Sequence, residues 1–229
     1  MAAISNEAEG AAQANSPATN SEVPEGVPAK RMPPGLAAWR KAERERLIAT
    51  RLALSADTRT LYAARVADGL DMLLGSPAGL TVSIYWPFRG EPDLRGWLET
   101  IVARGGRGAL PVVVQKGAPL VFRAWRRGEP LVPGVWKIPV PRDGAEVRPD
   151  VVIAPVVGFD SQAYRLGYGG GFFDRTLAAT ARRPRVFGVG YALAELPSIQ
   201  PQPHDIPMDV VVTERGVSAR SAGNASQGL

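Results

Sequence analysis

Residues Arg165 to Arg175, RLGYGGGFFDR, place four glycines within five positions, flanked by two arginines, two phenylalanines and an aspartate. Without Cβ atoms, Gly167, Gly169, Gly170 and Gly171 permit positive φ, and successive backbone N–H groups can converge on an anion. A helix following the glycines would add its own N-terminal N–H groups and dipole. Arg165 could grip phosphate oxygens through two parallel hydrogen bonds. Asp174 lies one turn into that helix. It could hold a hard cation such as Mg2+ through oxygen, with ligand phosphates completing the shell, or simply complement the dipole at a helix start. Neither familiar nucleotide fingerprint fits: Phe172 stands where GxGxxG needs its third glycine, and no Gly-Lys-Ser/Thr follows. On glycine content alone, a tight turn is as good a reading as a phosphate cradle.

Other residues carry chemistry with plainer alternatives beside it. Glu91, after YWPFRG, reads either as a first-turn acid of the next helix or as an acceptor for the N–H groups of a heterocycle. Trp86, Phe88 and Trp136 could wall a flat aromatic pocket or belong to the core. Asp205 follows His204 in PHDIPMD. It reads as a turn former or as a second carboxylate near a cation, and Asp209 as a structural strand-start residue. Arg40, Lys41 and Arg44 form either a solvated helix face or a basic group that reaches across to a triphosphate.

The elements that must position these residues alternate. GLAAWRKAERERLIATRLALS reads as a helix with imperfect apolar spacing at Leu36, Trp39, Leu47, Leu52 and Leu54. Ser55 can cap a second helix, with Leu61, Ala64, Val66, Leu70 and Leu73 as its apolar stripe. TVSIYW reads as a strand, EPDLRGWLETIVARG as a helix, and GALPVVV and LVFRAW as two more strands. DVVIAPVVGFD is nearly all apolar and predicts a strand buried on both faces. FFDRTLAATARR predicts a helix, and RVFGVGY and MDVVVTE two strands. This alternation argues for an α/β domain of three layers, α/β/α, with a mostly parallel central sheet. The glycine stretch then follows the most buried strand, at the carboxyl edge where such sheets bind ligands.

Of 229 residues, 45% are hydrophobic, enough for one sizeable core. Residues 1–34 are rich in Ala, Ser, Asn, Pro and Gly and are expected to form a disordered leader. The ordered domain is expected over residues 35–216, with a flexible tail over 217–229. The absence of cysteine and the presence of a single histidine exclude disulfides, thiolate chemistry and HExxH zinc sites. A net charge of +5 suits an anionic ligand, while the interspersed acids and lack of a recognition motif argue against nucleic acid. The N-terminus lacks the basic and apolar regions of a secretory signal, and no apolar run reaches membrane-spanning length. A cytoplasmic monomer without membrane or nucleic-acid partners is expected.

The shared order of several blocks resembles the 5-formyltetrahydrofolate cyclo-ligase family, also called methenyltetrahydrofolate synthetases, over about Ala38 to Glu214. FDSQAYRLGYGGGFFDRTL is the most specific; RLALS, YWPFRGEPD, Leu110-Pro111 and HDIPMDVVVTE support it. The resemblance implies an enzyme that uses ATP and Mg2+ to convert 5-formyltetrahydrofolate, with or without a polyglutamate tail, to 5,10-methenyltetrahydrofolate. It implies that Arg165, with Leu166 and Gly167 to Phe173, cradles ATP, helped by Arg40, Lys41 and Arg44. Asp174 and Asp205 would hold the metal, with Arg165 and Asp174 as catalytic groups. Glu91 would hold the pterin, Trp86 and Trp136 would wall its pocket, and Tyr168 and Phe172 would also face the folate. Phe172 and Phe173 replace the family's paired tyrosines, Val140 precedes Pro141 where Glu-Pro is common, and Arg40 replaces the usual lysine. Two other classes stay open at this level. One is a same-fold relative without this reaction, for example in thiamin metabolism. The other is a non-enzymatic phospho-ligand domain.

Overall fold

A computed structural model describes residues 35–219. The expected leader lies outside the described residues, as does the tail beyond residue 219.

Four helices and twelve strands follow in the order α1 Leu36–Leu52, α2 Ala56–Leu74, β1 Thr81–Ser83, α3 Arg95–Ala103, β2 Arg107–Val112, β3 Val121–Ala124, β4 Leu131–Pro133, β5 Pro139–Pro141, β6 Glu146–Val147, β7 Val151–Pro155, β8 Gly158–Phe159, β9 Arg165–Leu166, α4 Phe172–Ala179, β10 Arg185–Val189, β11 Val210–Thr213 and β12 Gly216–Ala219. Eight strands form the central sheet in the order β12-β11-β10-β7-β1-β2-β3-β6. The five from β11 to β2 are parallel, and β12, β3 and β6 add antiparallel edges. The strand Gly216–Ala219 corrects the tail boundary expected at residue 217. Its residues are exposed and carry no buried alternation, so the sequence pattern has nothing to mark it.

Strand periodicity sorts β7 between two cores. Val151 and Ile153 pack with α2 and α3 residues such as Val66, Leu70, Trp97 and Leu98. Ala154 joins the opposite layer with Leu47 of α1 and Leu177 of α4. These two layers around one sheet are the expected three-layer α/β/α arrangement.

Two helix faces differ from expectation in an instructive way. The inward residues of α1 are Leu36, Arg40, Leu47 and Arg51, so half of the buried stripe is arginine. Leu52 is instead half exposed. In α2 the buried stripe is Ala63, Val66, Leu70 and Leu74, after a Ser55 cap whose hydroxyl accepts from Thr58 N at 3.1 Å. Leu61 and Ala64 face outward.

The long apolar run after Asp150 is not one strand. It makes β7, then Val156 and Val157 turn the chain into the β8–β9 ribbon, which delivers Arg165 to the glycine loop. Likewise β1 ends at Ser83, and the chain from Ile84 leaves the sheet carrying Trp86, Phe88 and Glu91. Glu91 precedes the first residue of α3, Arg95, so it is not a helix-start acid.

Candidate active site

The sheet reverses its winding between β1 and β7. From β1 the chain proceeds outward to β2, and from β7 in the opposite direction to β10 and β11. Crevices at such switch points, beyond the strand carboxyl ends, are where open α/β sheets bind ligands. A cavity of about 230 Å³ opens there. The segment after β1 lends it Trp86, Phe88 and Glu91; the chain after β7 lends it Arg165 to Asp174; α1 reaches over it with Arg40 and Arg44.

Its basic end is built from backbone and guanidinium groups. Gly169 and Gly171 hold φ of 94° and 62°, conformations that side chains with a Cβ resist. The missing Cβ at Gly169 also leaves room for Arg44, whose Cζ would lie only 3.5 Å from such an atom. Arg44 Nε donates to Gly167 O at 2.7 Å. Gly171 precedes α4 with no side-chain cap, so the first-turn N–H groups of that helix remain available to an anion.

Arg40 donates to Asp205 Oδ2 at 2.6 Å and to Gln200 O at 2.8 Å. Arg165 donates to Ile206 O at 3.0 Å, and its Nη2 lies 2.7 Å from Asp174 Oδ1. Nη2 of Arg165 is thus ion-paired with Asp174, whereas Nε of Arg40 is a buried donor without an acceptor among the described residues. Burial first, and Arg40 second, lower the pKa of Arg44; burial also lowers that of Arg165. Arg40, Arg44 and Arg165 share the cavity with the carboxylates of Asp174 and Asp205. The excess guanidinium suits a polyanion.

The same carboxylates could hold a hard cation carried by phosphates. Oδ1 of Asp174 accepts from Ile206 N at 3.0 Å and Oδ2 of Asp205 from Gln202 N at 2.7 Å. The other oxygen of each has no hydrogen-bond donor among the described residues. No group of three or more His, Asp or Glu side chains gathers as a metal centre among those residues. A site of one or two carboxylates completed by substrate phosphates is the usual Mg2+ arrangement.

At the other end, Glu91 is 6% exposed. Its Oε1 accepts from the Tyr168 hydroxyl at 2.8 Å and its Oε2 from Phe88 N at 2.9 Å. Burial outweighs Arg51, Tyr168 and the Phe88 N–H, and raises its pKa from 4.5 to about 7. The Phe88 and Tyr168 rings meet at 5.8 Å. Trp86 lines the cavity with Arg95 over its ring at 4.6 Å. Trp136 is a rim residue rather than a buried wall: it is 57% exposed, between β4 and β5, with φ of 55°.

The cavity thus gathers Trp86, Glu91, Trp136, Arg40, Arg44, Arg165, Leu166, the glycines, Tyr168, Phe172, Phe173, Asp174 and Asp205. Lys41 is the exception. Its side chain is 77% exposed and 3.9 Å from Glu45, because it follows Arg40 by one position and a helix turns it away. Phe172 folds over Gly170 and under Arg175, and Phe173 lies 5.6 Å from the Arg165 guanidinium. Sequence reasoning missed Arg51, buried at the end of α1. Its signal was its place at the head of RLALS, one of the blocks that carry the resemblance.

The model of the 5-formyltetrahydrofolate cyclo-ligase family matches residues 36–214. The 5-formyltetrahydrofolate cyclo-ligase of Mycolicibacterium smegmatis is 34% identical over 62% of this chain and 78% of its own length. That of Escherichia coli K12 is 37% identical over 58% of this chain and 77% of its own length. The 5,10-methenyltetrahydrofolate synthetase of Aquifex aeolicus superimposes with a TM-score of 0.69 at 28% identity, covering 82% of this chain and 96% of that one. The synthetase of Mycoplasma pneumoniae, at 20% identity and a TM-score of 0.64, shares the fold over 76% of this chain and 98% of its own. The chain therefore belongs to the 5-formyltetrahydrofolate cyclo-ligase family.

Proposed function

We propose that the protein catalyses the ATP-dependent conversion of 5-formyltetrahydrofolate to 5,10-methenyltetrahydrofolate, releasing ADP and phosphate. The observation that carries this reading is one cavity with a glycine-and-arginine end and a carboxylate-and-aromatic end. It suits a polyanion and a flat heterocycle side by side.

The chemistry requires both. The formyl oxygen is a poor leaving group as it stands. Transfer of the γ-phosphoryl to that oxygen breaks the phosphoanhydride bond, releases ADP and leaves an iminium phosphate. N10 then attacks the formyl carbon, loses its proton, and the C–O bond breaks to release phosphate. Each step is governed by position and charge. The loop N–H groups with Arg40, Arg44 and Arg165 bind and neutralise the triphosphate. Glu91 accepts from the pterin N–H groups and fixes the formyl group's direction. Trp86, Phe88 and Tyr168 exclude water from the ring face. Asp174 and Asp205 would hold Mg2+, which supplies charge neutralisation on the phosphates. Phe172 and Phe173 keep aromatic surface without the hydroxyls of the family's tyrosines.

Methenyl-folate absorbance tests the reading. Purified protein with 5-formyltetrahydrofolate, ATP and Mg2+ should generate the product chromophore. A folded sample that binds nucleotide but makes none would favour a same-fold relative lacking this reaction.

A further inference from the structure

Arg51 lies within the fold where the three segments of the site meet. It is 4% exposed. Its Nε donates to Arg89 O at 2.9 Å, its Nη1 to Val156 O at 3.3 Å, and its Nη2 to the Tyr168 hydroxyl at 2.7 Å. Those acceptors belong to the segment after β1, the segment after β7 and the glycine loop. The Tyr168 hydroxyl in turn donates a hydrogen bond to Glu91 Oε1 at 2.8 Å, and Arg51 Nη2 stands 4.0 Å from that oxygen. Tyr168 sits between Gly167 and Gly169, so the loop at the basic end is tied through one hydroxyl to the carboxylate at the aromatic end.

We propose that Arg51, Tyr168 and Glu91 form a positioning relay that couples heterocycle binding to the conformation of the phosphate loop. This rests on the reading of the site given above. A hydroxyl that accepts from a guanidinium is polarised into a stronger donor, and its best acceptor is an ionised carboxylate. Burial opposes that ionisation. A ligand that donates N–H groups to Glu91 favours the ionised form and so strengthens the bond to Tyr168. The strengthened bond holds the glycine-rich Gly167–Gly171 backbone in one arrangement before the nucleotide arrives. Less ordering is then left for the nucleotide to impose, and its affinity rises. By linkage, the nucleotide raises folate affinity by the same factor.

The charged and titratable side chains that act on Glu91, or it on them, are Arg51 from α1, Tyr168 from the glycine loop, Tyr191 after β10 and Tyr85 from its own segment. Arg51 and Tyr168 are positioning residues in this scheme, so the test needs a readout that packing alone would not move.

Calorimetric titration of a non-hydrolysable ATP analogue, with and without saturating 5-formyltetrahydrofolate, measures the coupling. In the unaltered protein, folate should tighten analogue binding by roughly tenfold. Tyr168→Phe keeps the ring against Phe88 and removes only the hydroxyl. Its coupling, taken as the ratio of the variant's own analogue affinities with and without folate, should fall to about twofold or less. The pH below which folate affinity declines should also move upward in Tyr168→Phe, because Glu91 loses a donor. Equal coupling in the two proteins, or binding of both ligands with no coupling in the unaltered one, overturns the relay. A protein that binds the analogue but no folate overturns the reading of the site itself, and the relay with it.

Discussion

Glu91 is where burial and function pull in opposite directions. Its pKa, raised from 4.5 to about 7 by burial, leaves the carboxyl partly protonated at neutral pH. A pterin that donates N–H groups needs the carboxylate, so folate affinity should fall as pH drops below about 7 and approach a tenfold loss per unit. Titrations from pH 8 to about 5.5 would check it, with Glu91→Gln weaker throughout and flat across that range. A folate affinity in the unaltered protein that is flat over the range would contradict the assignment. The effect on stability has the same origin. A folded-state pKa raised above the unfolded one contributes stability that is fully present below about 4.5 and is lost as pH rises through about 7. Ligand binding and fold stability therefore respond oppositely to acid through this one group. The sequence offers Glu91 as a first-turn acid or as an acceptor for a heterocycle's N–H groups; its burial was not legible, because that depends on the chain leaving the sheet after Ser83.

Elements carry the next constraint. The glycine loop holds its shape because Gly169 at φ 94° permits the turn and Arg44 packs against it. Gly169→Ala would place a Cβ in ordinary contact with Arg44, so space is not the difficulty. The φ is, and should cost about 1–2 kcal/mol of stability. Nucleotide affinity should fall by roughly tenfold as the loop relaxes out of its cradle. Denaturant unfolding and nucleotide titration would separate the two effects. An alanine variant with unchanged nucleotide affinity would mean that the loop is a turn and no more. Elements were legible wherever one face was consistently apolar, as in α3, or both faces were, as in β10. Where the buried stripe is not apolar, the helix was legible but its inward face was not: α1 turns Arg40 and Arg51 inward, so its apolar spacing looks imperfect. The run after Asp150 was misread for the opposite reason. Two successive buried segments give one continuous apolar signal, which hides the turn at Val156.

At the scale of the whole molecule, the site is a cluster of buried charge that the fold must tolerate without ligand. Arg40 and Arg165 pair with Asp205 and Asp174, with side-chain exposures of 9% and 10% in the first pair and 4% and 19% in the second. In the proposed reaction these groups engage phosphates and a cation; without ligand, the carboxylates pair the two guanidiniums. Removing one partner should expose the cost. Asp205→Ala leaves the buried Arg40 guanidinium with Gln200 O alone, and should destabilise the free protein by about 3 kcal/mol. In a domain of this size that is a fall in thermal midpoint of roughly 6–12 °C. Millimolar tripolyphosphate, which offers Arg40 a replacement anion, should raise the midpoint of the variant more than that of the unaltered protein. The comparison distinguishes a charge reserved for a ligand from one that is only structural. If Asp205 served merely to hold its loop, the variant would melt early and the anion would give it no larger rescue.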